Sequence, residues 1–210
     1  ILSRVIYGAR PTLAIVAMVL LASVPIGLLI GAAAGLWGGW LDAALMRLAD
    51  VFLAFPRLIL AIAIAAALTS GLWTAVIAIA LTGWPPYARV ARSEMAALRQ
   101  AEFIQAAKAL GVSRLRLLLR HALPLCLPSA VVRAALDAPG IVLFVSGLGF
   151  LGLGLPPPAP EWGAMVAEGR AIVFEAWWVS TLPGVMILLL SLGFNFLGDA
   201  LRDAFDTRKS

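Results

Sequence analysis

The sequence is short of the residues that soluble chemistry relies on. Its 210 residues include one cysteine, Cys126, and one histidine, His121. A single cysteine excludes an internal disulfide and any multi-cysteine metal site. A single histidine argues against a His-based metal site or proton relay. No Ser, Cys or acid stands at a spacing that would make His121 catalytic, so it reads as a polar loop residue. Cys126 reads as a small buried apolar residue. There is no Gly-x-x-x-x-Gly-Lys-Ser/Thr phosphate loop and no His-Glu-x-x-His pair, so the chain is expected to be neither an ATPase nor a membrane peptidase of those types. Charge is scarce as well. Charged residues make up 13% of the chain, about half of the roughly 25% in an average soluble domain.

What is present is apolar. Hydrophobic residues make up 62% of the chain, and the mean hydropathy is +1.00. A soluble domain of this composition could not cover its surface with polar groups. The sequence therefore reads as an all-α polytopic membrane protein. Lys and Arg exceed Asp and Glu by 16 to 11, a net charge of +5. In a membrane chain that excess belongs to cytoplasmic loops, not to nucleic-acid binding. The chain opens Ile1-Leu2-Ser3-Arg4, with no initiator Met and no signal-peptide pattern, and is expected to lack sequence upstream.

A helix needs about 20 apolar residues to cross the roughly 30 Å hydrocarbon core. Pro11 to Leu41 carries no charge, so a first span is expected over 12–36, started by Pro11 and stopped by Gly35, Gly38 and Gly39. Thr69-Ser70-Gly71 reads as a turn. The 12 residues Arg57 to Leu68 would reach only about 18 Å as helix. A second span is therefore expected over 43–68, kinked at Pro56. Further spans are expected over 72–92, 126–150 and 176–198, making five in a single transmembrane domain over 1–210. The segment 89–120 holds seven Lys and Arg against Glu94 and Glu102. The segment 151–175 holds Arg170 against Glu161, Glu168 and Glu175. The charge rule puts 93–124, the 37–42 joint and the C-terminal tail in the cytoplasm. It puts the N-terminus and the 151–175 loop outside.

The basic loop has an internal pattern. Phe103, Ala106, Ala107 and Leu110 fall on one helical face. Gly111 is placed as a left-handed residue after that helix. Ser113 is placed to cap a second helix, with Leu115, Leu118, Leu119 and Ala122 on one face and Pro124 as its end. Helix, glycine elbow, helix is one reading; an amphipathic segment lying on anionic headgroups is the other.

Gln105-Ala106-Ala107, then Gly111, then Leu123-Pro124 resembles the EAA loop of ABC importer permeases. These are the binding-protein-dependent inner-membrane components. The family usually has Glu where this chain has Gln105. Ala107-Lys-Ala-Leu-Gly-Val-Ser, Arg120-His121-Ala122-Leu123-Pro124, Phe150 through Gly163, and Gly198-Asp199-Ala200-Leu201-Arg202-Asp203 resemble its dipeptide/oligopeptide/nickel branch. The resemblance implies the ABC transmembrane fold with the family's first helix missing here. It implies a subunit, not an enzyme, of a bacterial or archaeal inner (plasma) membrane importer for peptides or nickel. Expected partners are a second permease, two ATPase subunits holding ATP and Mg, and an extracytoplasmic solute-binding protein. The chain itself is expected to bind no cofactor, metal or nucleic acid. Phe103, Gln105, Ala106, Ala107, Leu110, Gly111, Leu123 and Pro124 are then the ATPase-coupling residues. The competing function is a secondary transporter or channel not coupled to an ATPase.

Other residues stand out. Arg133 and Asp137 lie at i, i+4 in the fourth span. Each would cost roughly 2.5–3.5 kcal/mol facing lipid. They are expected to pair, either as a structural ion pair or as a pore-lining pair that touches substrate. An acid at 137 fits nickel-type relatives better than dipeptide-type ones. Pro156-Pro157-Pro158 is expected to be stiff and extended. Pro157, Trp162 and Gly163 are expected to cap the pore or meet the binding protein, with Trp162 as a plain interfacial anchor the alternative.

Overall fold

The computed structural model describes residues 1–205 and, within them, all side chains except those of Lys108, His121 and Ala122. The C-terminal residues 206–210 lie outside the described residues. The architecture is helical. Helix α1 runs Leu2–Trp37, α2 Gly39–Ala54, α3 Arg57–Ala66 and α4 Leu72–Leu98. The short helices α5 (Glu102–Ala109) and α6 (Arg114–Leu117) follow, then a π turn over Leu118–Ala122. Helices α7 (Leu123–Phe150), α8 (Trp162–Arg170) and α9 (Trp178–Phe205) complete the chain.

The seam between α1 and α4 organises the rest. Gly27, Gly31 and Gly35 recur every fourth residue and share one face of α1. A Cβ on Gly27 would lie 2.6 Å from the Trp84 carbonyl oxygen, and one on Gly35 2.7 Å from that of Arg92. A Cβ on Gly31 would overlap the Ala88 backbone. The two helices thus touch backbone to backbone, as small residues permit in membranes. The contacts rise together along both helices, so α1 and α4 run parallel. Ser23 Oγ continues the seam by donating to the Ala80 carbonyl at 3.3 Å. Two parallel neighbours require a return path, and α2 with α3 supplies it.

That return path is broken more sharply than expected. Instead of one kinked span over 43–68, α2 and α3 meet at 88°. Pro56 bars the preceding residue from helical geometry, and Phe55 is extended at φ −96°, ψ 143°. Helix α1 also differs: it begins ten residues before the expected 12, and Pro11 and Pro25 are internal. Each proline removes one N–H donor, which membrane helices tolerate where packing and hydroxyls compensate. Beside Pro11, Thr12 Oγ1 donates to the Gly8 carbonyl at 3.0 Å. Where 176–198 was expected as the last span, α9 covers Trp178–Phe205.

Helices α1, α7 and α9 are each long and apolar enough to cross a membrane, and the α2–α3 pair has the length and composition of a fourth span but is bent by 88°. Expected as a span over 72–92, α4 is more polar but runs along α1 and buries Ala75, Ala78, Ile79, Trp84, Tyr87 and Ala91. Its remaining face leaves Trp73, Ile77 and Leu81 uncovered, at 68%, 43% and 46% exposure. Ile15, Val19, Val76, Ile79, Ile141 and Val145 form the main core. There the far half of α7 meets the near half of α1, so α7 is antiparallel to it. Gly198 of α9 packs on Leu136. The α1–α2 joint, the 99–122 segment and residue 205 consequently share one end, the basic one. Residues 66–72 and 150–178 share the other.

Introducing Gly31→Leu should overpack the seam at about 1–3 kcal/mol and lower the Tm of the detergent-purified protein. Gly193→Leu, at a position with open space around it, should leave the Tm unchanged.

Candidate functional site

The basic end carries the loop on which function was expected to rest. Helix α5 buries one large side chain, Ile104, at 0% exposure. Its outer face presents Phe103, 47% exposed, and Leu110, 85% exposed, with Ala106 exposed between them and Ala107 half-buried. Gln105 Nε2 donates to the Arg99 carbonyl at 3.2 Å, tying α5 to the end of α4. Gly111 has φ 78°, and the Val112 N–H returns to the Ala107 carbonyl at 3.1 Å. That left-handed turn suits glycine, and a Cβ there would meet nothing within 4 Å. The constraint at Gly111 is therefore one of backbone conformation alone.

The second helix departs from expectation. Ser113 Oγ caps α6 by accepting the Arg116 N–H at 3.4 Å. The helix is four residues long and widens into the π turn. Pro124 does not end it. The chain continues into α7, with Leu123 and Pro124 in that helix's first turn, where proline's missing donor costs least. Leu117 and Leu118 are buried, while Leu115 and Leu119 are exposed. His121 and Ala122 have side chains outside the described residues.

Within the bundle, Asp137 does pair, but not with Arg133. Arg57, the first residue of α3, donates from Nη1 to both Asp137 oxygens at 2.9 and 3.0 Å. The Tyr87 hydroxyl of α4 adds a bond to Oδ2 at 3.1 Å. Helix spacing permits the Arg133 contact, but Asp137 points toward α3 and α4, which fill its acceptor sites. Arg133 is exposed and faces a cleft with Ser129 and Arg202. The Arg57 guanidinium also lies over the Phe144 ring at 5.0 Å. A Cβ on Gly83 would be 2.7 Å from Arg57 Nη2. One ion pair thereby ties α3, α4 and α7 together, starting from the residue after the Pro56 break. The sequence reasoning missed Arg57 because its partner lies 80 positions away. Of the charges in the second span, Arg47, Asp50 and Arg57, it stands nearest the middle, and that was the available signal.

The opposite end corrects a further expectation. Trp162 is 2% exposed, so it neither caps a pore nor anchors at an interface. Its Nε1 donates to the Val5 carbonyl at 2.8 Å, and it fills the space that Gly8 leaves open. Gly163 lets α8 touch the Ser146 backbone of α7. Pro157 lies in an exposed turn, not an extended strut, with the Ala159 N–H bonded to the Pro156 carbonyl at 3.3 Å. The turn follows from Glu161, whose Oε2 accepts the Leu155 N–H at 3.2 Å and draws the loop back. Glu161 is 1% exposed and its Oε1 has no partner. Burial pushes its carboxyl up to about 7. Nearby, Arg4 pairs with Glu168 at 3.0 Å.

Two measurements probe these contacts. Asp137→Ala alone should destabilise by about 3–5 kcal/mol, because it strands Arg57. Arg57→Ala with Asp137→Ala should cost less, and Arg133→Ala little; a thermal double-mutant cycle reads all three. Glu161 has a folded pKa above its ordinary 4.5, so the folded state holds the extra proton. Its stabilisation is complete below about pH 4.5 and lost as pH rises through about 7. The Tm should fall across that window, and Glu161→Gln should flatten the profile.

Residues 23–210 match the family described as the binding-protein-dependent transport system inner membrane component. The probable D,D-dipeptide transport system permease protein DdpC of Escherichia coli K12 is 42% identical over 206 residues, covering 98% of this chain and 69% of the relative. The dipeptide transport system permease protein DppC of Alkalihalophilus pseudofirmus is 42% identical over 208 residues, covering 99% and 68%. In fold, the chain is similar to an inward-facing structure of the MetNI methionine ABC transporter, with a TM-score of 0.74 at 21% identity and 95% of each chain covered. By family match, relatives and fold, this chain belongs to the binding-protein-dependent inner-membrane permease components of ABC importers.

Proposed function

We propose that this chain forms half of the translocation pathway of an ATP-driven peptide importer working by alternating access. A second permease completes the pathway. Two ATPase subunits, holding ATP and Mg, dock at the basic end, which faces the cytoplasm, and a solute-binding protein delivers substrate to the opposite end. The chain holds no cofactor of its own, and its seat is the bacterial or archaeal inner membrane. The observation that carries this reading is the outer face of α5. Phe103, Ala106 and Leu110 leave an apolar stripe uncovered beside the left-handed Gly111, and small residues at 106 and 107 allow a partner close approach.

The geometry gives a route for force. Helix α5 hangs from the end of α4 through Gln105 and from the start of α7 through α6 and the π turn. A shift of α5 therefore bears on both α4 and α7. Arg57–Asp137 couples that motion to the break between α2 and α3. Peptide is favoured by the relatives' names. Nickel loses its sequence argument, since the charge of Asp137 is already met by Arg57.

Gly111→Val should strain the elbow by about 1–2 kcal/mol and rotate α5. Ala106→Asp should place a charge in the docking face without disturbing the fold. Both variants should stay folded and inserted, Gly111→Val with a Tm lowered by a few degrees and Ala106→Asp with the wild-type Tm, while losing ATPase co-purification and peptide uptake. Well-inserted variants with normal uptake and normal ATPase association would exclude α5 as the coupling element and leave it a helix on the lipid surface.

A further inference from the structure

We propose that the cleft bounded by Leu36, Trp37, Arg99 and Arg114 binds the phosphate of an anionic phospholipid. The cleft holds about 230 Å³ at the basic end, where α1 turns into α2 and α4 gives way to the coupling loop. Gly38 makes the space: it is left-handed at φ 64°, and a Cβ there would sit 2.5 Å from Arg99 Nη1. Arg99 is half-buried and Arg114 exposed. Among the described residues neither has a carboxylate within ion-pair distance. The nearby acid is Asp42, and both its oxygens already accept from Arg92, at 2.7 and 2.6 Å. Two guanidinium groups thus face one cleft with no anion between them. Their mutual repulsion is relieved by a ligand carrying negative charge and several acceptor oxygens, and a phosphate fits both arginine forks.

The surroundings select the lipid form of that phosphate. Trp37 lines the cleft, and Trp40, 80% exposed, stands on the first turn of α2. Tryptophan at this level marks the headgroup layer. Further along α2, Leu48 and Val51 are 47% and 57% exposed, an apolar track for acyl chains, with the exposed Arg47 on the face that Trp40 and Val51 share. A free phosphate would use the arginines and ignore the track. An acidic side chain of an ATPase subunit is the rival occupant. A headgroup held here would brace the α1–α2 joint against Arg114, the first residue of α6, and so stiffen the base of the coupling loop.

The test uses the whole importer, with its second permease and ATPase subunits, in nanodiscs of phosphatidylcholine with added photoactivatable phosphatidylglycerol. Phosphatidylglycerol should crosslink at the cleft and resist competition by inorganic phosphate. Arg99→Gln with Arg114→Gln should weaken its binding by about 30-fold, at about fivefold per arginine. Arg99→Lys with Arg114→Lys should retain most of it. The proposal is overturned if the glutamine variant crosslinks like wild type, or if phosphatidylcholine crosslinks equally well. It is also overturned if inorganic phosphate displaces the lipid, which assigns a free-anion site. Crosslinking only in permeases stripped of ATPase would give the cleft to an ATPase carboxylate. The readout is lipid binding itself, so it stands or falls separately from peptide transport.

Discussion

Backbone contact between α1 and α4 is the constraint from which the other positions follow. With glycine at 27, 31 and 35, no side chain separates the two helices, and they pack in parallel. A parallel pair obliges the intervening 34 residues to travel back along the bundle. That segment contains Pro56, and its two halves meet at a right angle. The break in turn fixes where Arg57 stands. The seam thus determines, through two intermediate steps, which cation meets Asp137.

Charge inside the bundle obeys the same economy. A carboxylate facing lipid is costly, and a single partner leaves some of its acceptor sites empty. Asp137 is satisfied from two other helices, by Arg57 and Tyr87. Arg133, one turn closer to the basic end, reaches a cleft with its own guanidinium and needs no such partner. The pair is better regarded as a joint than as a receptor. It connects the element after the Pro56 break to the helix that leads back to the loop at the basic end.

Features governed by local rules were legible in the sequence. Gly111 after an amphipathic run announces a left-handed turn, Ser113 announces a cap, and the apolar lengths announce the crossings. Features that depend on a distant neighbour were not. The i, i+4 spacing made Arg133 the obvious partner of Asp137, because Arg57 comes near only once α3 has packed. Trp162 resembled an interfacial anchor until Val5 and Gly8, from the far end of the chain, enclosed it. The stripe through Leu115 and Leu119 assumed a regular helix, whereas a π turn precedes Pro124 and the buried residues are Leu117 and Leu118.

The bundle is tightly packed where the loop is not. At Gly27, Gly31 and Gly35 the α1–α4 seam is backbone against backbone, and Ile15 and Val19 pack with Val76 and Ile79 along the rest of it, which holds the two helices together. Helix α5 is held by one buried side chain and a hydrogen bond to the end of α4. Segments with so few buried contacts open at low free-energy cost. Force applied to α5 therefore reaches the bundle through its two attachments, not through its face. One attachment leads to the rigid seam and the other, by way of the π turn, to α7 and its ion pair with α3. A differential displacement of α4 and α7 must then be absorbed between them, and the Arg57–Asp137–Tyr87 cluster is the polar contact that spans that gap.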